Sequence, residues 1–216
     1  YKDNLVLKKI DLSIENPGLY SLVGSNGCGK STIFKLLERF YECKVGKIEI
    51  NQVPINKYSA SDLRNNIVYM PKKPFFLQGT IMDNLKLGQN EISDLEVIEV
   101  CKKVGIHSDI QKLEKGYYEL IESGGENFSS GQKQKLGFVR VLLKKADIVL
   151  LDEVTSDLDG EAERQICNQI EEIAKKAIVL NIAHKPESIR RSKKVFFIQG
   201  GKIVAEGTHK ALMKNC

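Results

Sequence analysis

Apolar positions along the chain fall into two regimes. In the first seventy residues they come in short runs. Leu5-Val6-Leu7 and Leu12-Ser13-Ile14 have the spacing of strands, and Asn16-Pro17-Gly18 is a turn signal. Residues 19–23 form a short apolar strand that runs straight into a glycine-rich stretch. Residues 31–40 predict a helix, with Ile33, Phe34, Leu36 and Leu37 on its apolar face. Residues 47–50 and 67–70 predict further strands. From about residue 80 to 145 the period becomes helical, with Leu95, Ile98 and Val104 in one run and Leu136, Val139, Leu142 and Leu143 in another. Gly124-Gly125 interrupts this segment just before Ser129. From Ile148 onward strand and helix alternate: a buried strand over 148–151, a helix over 161–175 and a strand over 177–182. Residues 195–198 and 202–205 then read as a hairpin around Gly200-Gly201. Strands alternating with helices predict an α/β fold with a mainly parallel sheet covered on both faces.

Composition narrows the class. The chain has 216 residues, of which 42% are hydrophobic and 28% charged, enough for one substantial core or a domain carrying an inserted subdomain. The net charge of +5 is spread over pairs such as Lys8-Lys9, Lys144-Lys145, Lys175-Lys176 and Arg190-Arg191, interleaved with acids. That pattern is one of solvated helix faces and argues against a nucleic-acid partner. No apolar run approaches the roughly 18 residues of a membrane span, and no signal peptide is evident. The sequence opens at Tyr1 without an initiator Met, so the expectation is a piece of a longer protein, with membrane segments upstream. The five cysteines contain no Cys-x-x-Cys pair and are odd in number, which favours reduced thiols over a disulfide framework or a zinc site. His107, His184 and His209 are too dispersed for a metal centre.

Three motifs carry chemistry. Gly24-Ser25-Asn26-Gly27-Cys28-Gly29-Lys30-Ser31 fits the phosphate-binding loop, between a strand and a helix as that loop requires. Its glycines let backbone N–H groups face an anion, and the helix N-terminus adds its dipole. Lys30 is expected to reach β- and γ-phosphates, Ser31 to ligate Mg²⁺, and Thr32 to touch the α-phosphate. Ile148-Val149-Leu150-Leu151-Asp152-Glu153 delivers two carboxylates to the end of a buried strand, where open α/β sheets bind ligands. Asp152 can hold Mg²⁺ through water, and Glu153 can polarise an attacking water as general base. Phe128-Ser129-Ser130-Gly131-Gln132 opens a helix. Ser-x-x-Gln is a capping box, and the same helix start is an anion site.

In this order the three elements resemble the ATP-binding cassette family over essentially the whole chain. Residues 128–132 resemble its signature motif, with Ser129, Gly131 and Gln132 keeping the usual wording and Phe128 and Ser130 departing from it. Ser156-Asp157-Leu158-Asp159 resembles the D-loop, His184 the switch histidine that contacts the γ-phosphate, and Tyr1 the aromatic that stacks on adenine. The stretch from Met70 through Gly79-Thr80-Ile81 resembles the exporter Q-loop region, with Lys72 standing where the family carries glutamine. A lysine has donors only and cannot ligate a cation. It is expected to turn to solvent or to reach the γ-phosphate, and in either case Mg²⁺ loses a protein ligand.

The resemblance implies an ATP-binding core over about 1–77 and 146–216, an antiparallel β element near the N-terminus and an inserted helical subdomain over about 78–145. It further implies ATP and Mg²⁺ as cofactors, with Ser25, Asn26, Gly27, Cys28, Gly29, Lys30, Ser31 and Thr32 around the phosphates. Ser129, Gly131, Gln132 and Asp159 would complete the site from a second such domain, head to tail. Function would be ATP-driven export at the cytoplasmic face of a membrane, through a transmembrane domain. Two alternatives are a soluble cassette ATPase acting on nucleic acid or ribosomes and a module in which ATP is only a clamp. The lack of long heptad insertions and the exporter-like Gly79-Thr80-Ile81 weigh against the first. Glu153 and His184 weigh against the second.

Overall fold

The computed structural model describes residues 5–87, 89 and 91–215; Tyr1 lies outside the described residues. In chain order the first elements are β1 (Gly18–Val23), α1 (Lys30–Leu37), β2 (Glu49–Ile50), β3 (Val53–Pro54), α2 (Ala60–Asn66) and β4 (Ile67–Met70). There follow β5 (Gly79–Thr80), α3 (Ile81–Lys86), α4 (Asp94–Val104), α5 (His107–Gln111), β6 (Leu120–Ile121) and α6 (Ser130–Lys144). The last are β7 (Ile148–Asp152), α7 (Gly160–Ala174), β8 (Ile178–Ile182), α8 (Pro186–Arg190), β9 (Lys194–Gln199), β10 (Lys202–Gly207) and α9 (His209–Asn215). The chain divides into two compact units. One takes the described residues up to Tyr69, Ala146–Asp152 and those from Ala174 onward; the other takes Met70–Lys145 and Glu153–Ile173.

The first unit is built on a sheet of order β10-β9-β1-β8-β7-β4. β1 runs parallel to β8 and β9, β8 runs parallel to β7, and β10 returns antiparallel to β9. Its central strands are largely apolar because both faces are covered, with the buried Ser21 on β1 and Asn181 on β8 as polar exceptions. Leu22, Phe34, Leu150, Phe196 and Ile198 are fully buried in one cluster. Phe34 is the residue that seats α1 on the sheet, and burying a side chain of this kind contributes about 1.5–3 kcal/mol. Register places the site: Leu22 pairs with Ile182, and Ile182 pairs with Asp152. The end of β1, Asp152 and the exit from β8 therefore lie level along the C-terminal edge of the parallel strands. Two expectations fail here. Leu5-Val6-Leu7 and Leu12-Ser13-Ile14 form no strand; their positions are instead fixed by side-chain packing of Leu12 and Ile14 on the core and by Lys8 N–H donating to the Gly201 carbonyl at 2.7 Å. The small antiparallel pair nearest the N-terminus is β2–β3, two residues on each side.

The second unit is helical, with α3 and α4 packed on α6 and a small β5–β6 ladder. Each of these helices starts on a side-chain cap. Thr80 and Asp83 form a capping box on α3, Ser93 accepts from Glu96 N–H on α4, and Ser129 with Gln132 forms a capping box on α6. The buried face of α4 is Val97, Cys101 and Val104, while Leu95 is 75% exposed. Val97, Cys101 and Val104 keep the spacing of one face, while Leu95 stands about 180° round the helix from Val104.

A polar clamp inside this unit holds residues 74–80. The amide of the buried Asn84 donates to the carbonyls of Leu77 and Thr80 and accepts from Leu77 N–H. Arg140 of α6 donates to the Asn84 and Phe75 carbonyls and to Asn84 Oδ1, and lies 4.6 Å over the Phe76 ring. Burial pushes its guanidinium down to about 10, so it remains a cation at neutral pH. One turn earlier, Gly137 lets Pro74 approach: a Cβ there would stand 2.7 Å from Pro74 Cγ and 3.0 Å from Met70 Cε. Gly137→Val is therefore expected to cost about 1–3 kcal/mol by overpacking, read as a lower midpoint with unchanged slope in chemical denaturation. Among the described residues no helix is long and apolar enough to cross a membrane.

Candidate active site

In the first unit the loop from Gly24 to Gly29 connects β1 to α1 along the level edge of the sheet. Its first and last glycines are required by contact. A Cβ on Gly24 would fall 2.1 Å from the Ile198 carbonyl oxygen, and Gly29, at φ 109°, would bring one within 2.4 Å of Leu7 Cδ2. Gly29 is the residue before α1 and offers no side-chain cap, which leaves the first turn of the helix to whatever anion it meets. Lys30 is only 6% exposed. Its ammonium folds back over the loop and donates to the carbonyls of Gly24 at 2.8 Å and Ser25 at 3.0 Å. Cys28 is buried beneath the loop with its Sγ 3.9 Å from Lys30 Nζ. Thr32 N–H is already committed to the Gly29 carbonyl within the helix.

Asp152 closes β7 and is 7% exposed. Tyr69 of β4 donates its hydroxyl to Asp152 Oδ2 at 3.4 Å. Burial, with the Asp152 charge beside it, pushes the Tyr69 phenol well above its usual range, so it stays a donor at all physiological pH. The Ser31 hydroxyl on α1 and the Asp152 carboxylate are hard oxygen donors of the kind Mg²⁺ takes. His184 stands two residues beyond β8, exposed.

In the second unit Glu153 opens the turn that follows β7. Its backbone is left-handed, φ 52°, and its carbonyl accepts from Ser156 N–H. Lys72 meets it: Lys72 Nζ lies 2.5 Å from Glu153 Oε2, with the lysine side chain 51% exposed and the glutamate 18%. Neither orientation expected for Lys72 from the sequence anticipates this ion pair. The turn is further held by Gln134 of α6, which is 2% exposed. It donates to Ser156 Oγ at 3.1 Å and accepts from Asp157 N–H at 3.2 Å.

At the start of α6, Ser129 Oγ accepts from Gln132 N–H and Gln132 Oε1 accepts from Ser129 N–H. The capping box thus uses the Gln132 amide oxygen, while the Ser129 hydroxyl keeps its own proton to donate. A Cβ on Gly131 would meet the Asp157 carbonyl at 3.3 Å. Asp159 accepts from Glu161 and Ala162 N–H groups, so its carboxylate caps α7. Tyr69, Asn84, Gln134 and Arg140 were not singled out from the sequence. The available signal was polar residues inside apolar helical runs, as at Gln134 and Arg140 around Leu136, Val139 and Leu143.

In the first unit a glycine loop between β1 and the head of α1, level with an acid that ends β7 one strand beyond β8, has the layout of a phosphate-binding loop fold. Residues 7–156 match the ABC transporter family, and the chain belongs to that family. It is 39% identical over 211 residues to the ABC multidrug transporter MDR2 of Trichophyton rubrum, covering 95% of this chain and 15% of the relative. It is 37% identical over 210 residues to the leptomycin B resistance protein pmd1 of Schizosaccharomyces pombe, covering 97% and 15%. The fold matches a bacterial Atm1-family ABC exporter solved with ATP bound, with a TM-score of 0.96 and 29% identity over 100% of this chain and 38% of the other. The chain thus spans about 15% of the length of the curated relatives it matches.

Proposed function

We propose that the chain hydrolyses ATP between two copies of this kind of domain and thereby drives export across a membrane, working at its cytoplasmic face beneath a transmembrane domain. The observation that carries this is Lys30: a nearly buried ammonium folded onto its own loop carbonyls at the head of an uncapped helix. A polyphosphate offers that cation charged acceptors in place of neutral ones, a stronger partner. Multidrug and exporter relatives supply the membrane context. The ATP-binding core is assigned to about 1–77 and 146–216, and the helical subdomain to about 78–145.

In this scheme backbone N–H groups of the loop through Ser31 hold the phosphates, with Lys30 on the β- and γ-groups and the Thr32 side chain on the α-phosphate. Ser31 directly, and Asp152 through water, would hold Mg²⁺, which neutralises phosphate charge when bound. Glu153 takes a proton from the attacking water. The water oxygen bonds to the γ-phosphorus as the bond to the β–γ bridging oxygen breaks, leaving ADP and inorganic phosphate. His184 steadies the γ-phosphate. Ser129 of the partner subunit donates its hydroxyl to the same phosphate, with Gly131 leaving room for the approach. Tyr1 is assigned to stack on adenine.

Composite sites make a specific demand. Chains carrying Lys30→Ala and chains carrying Ser129→Arg should each be inactive. Mixed, they should regain ATP hydrolysis, because one of the two sites in each mixed pair is intact. A mixture as inactive as its components would sink the head-to-tail assignment.

A further inference from the structure

We propose that Lys72 is a positioning residue that restrains Glu153 through their ion pair and so limits the rate of ATP hydrolysis; this rests on Glu153 being the general base. The contact is short, Nζ to Oε2 at 2.5 Å, and the glutamate is the better buried partner. Both ends are held by the structure around them. The loop of Lys72 is seated on α6, where Pro74 and Met70 pack against Gly137, and Arg140 and Asn84 tie down the residues that follow. Glu153 sits in a turn fixed by its own carbonyl bond to Ser156 N–H and by Gln134. The pair is therefore a built contact between two anchored segments of one unit.

Its effect on the reaction follows from what the contact occupies. The ammonium sits on Oε2, one of the two carboxylate oxygens that could face the attacking water. Seating the water on that oxygen means giving up the contact, and an interaction that is stronger before the reaction than during it raises the barrier. An aliphatic side chain at position 72 would leave that oxygen to the water. Lys72 is half exposed, so the pair is screened and the restraint is modest, equivalent to about a two- to fivefold effect on rate.

The test is kcat and KM for ATP in the full chain carrying Lys72→Met or Lys72→Arg, each also combined with Glu153→Gln. Lys72→Met should raise kcat about two- to fivefold with KM unchanged. Lys72→Arg, which keeps a cation there, should stay near the parent. Adding Lys72→Met to Glu153→Gln should change nothing, since the group it acts through is gone. Lys72→Leu is the second neutral variant should the methionine fail to fold. A neutral variant whose kcat is unchanged or lower overturns the proposal, as does an arginine variant that rises as much as the methionine. If Glu153→Gln alone keeps parental turnover, it is the assignment of the base that fails, and this inference falls with it.

Discussion

Glu153→Gln should leave ATP binding close to normal and reduce turnover by about two to four orders of magnitude, the range a positioned general base contributes. Glutamine keeps the length of the side chain and an oxygen to orient water, but its amide cannot take the proton. It also keeps a side chain at a left-handed backbone position, so the turn itself is not relieved and the fold should be equally stable. With closure no longer ended by hydrolysis, paired domains should persist in ATP. Phosphate release measures the first effect, and size-exclusion chromatography with ATP against ADP measures the second. Near-parental phosphate release would remove Glu153 from its role.

Lys30→Ala should weaken ATP binding by about 10- to 100-fold, since a hydrogen bond from a charged group contributes about 1.5–3 kcal/mol and 1.36 kcal/mol is a factor of ten. The loss should be specific to phosphates. Lys30 folds onto the Gly24 and Ser25 carbonyls and packs beside Cys28, so alanine frees two acceptors that water can satisfy in a loop at the sheet edge. Thermal unfolding should therefore shift little while nucleotide titration shifts much. Equal ATP affinity in the two proteins would mean that the ammonium stays on its own loop when nucleotide binds.

Much of this was legible before the structure, for identifiable reasons. β7 and the acids after it are a local pattern: an unbroken apolar run needs burial on both faces, and its end needs a ligand or solvent. The loop of glycines before Lys30 is legible as a spacing, although the contacts that require Gly24 and Gly29 come from Ile198 and Leu7, remote in sequence. The hairpin at Gly200-Gly201 was legible from its turn. What failed was decided at long range. Leu5 to Leu7 and Leu12 to Ile14 had strand composition but no neighbouring strand to pair with among the described residues. On α4, Leu95 is apolar but stands about 180° round the helix from the buried Val104, so composition misplaced it. Lys72 could be recognised as a departure at its position, but its partner lies 81 residues away. Gln134 and Arg140 were hidden by the apolar residues around them, and their partners are backbone groups that sequence does not distinguish.

The left-handed turn at Glu153 has a consequence for the stability of the domain. An L-residue with a Cβ pays roughly 1–2 kcal/mol to stand in that region, and glycine pays almost nothing. Thermal resistance and turnover therefore pull this one position in opposite directions. Glycine there would give a sturdier domain that cannot take a proton from water. Heat-hardening by substitution at this turn would select against the reaction, and a natural gain in rigidity has to be found elsewhere in the chain.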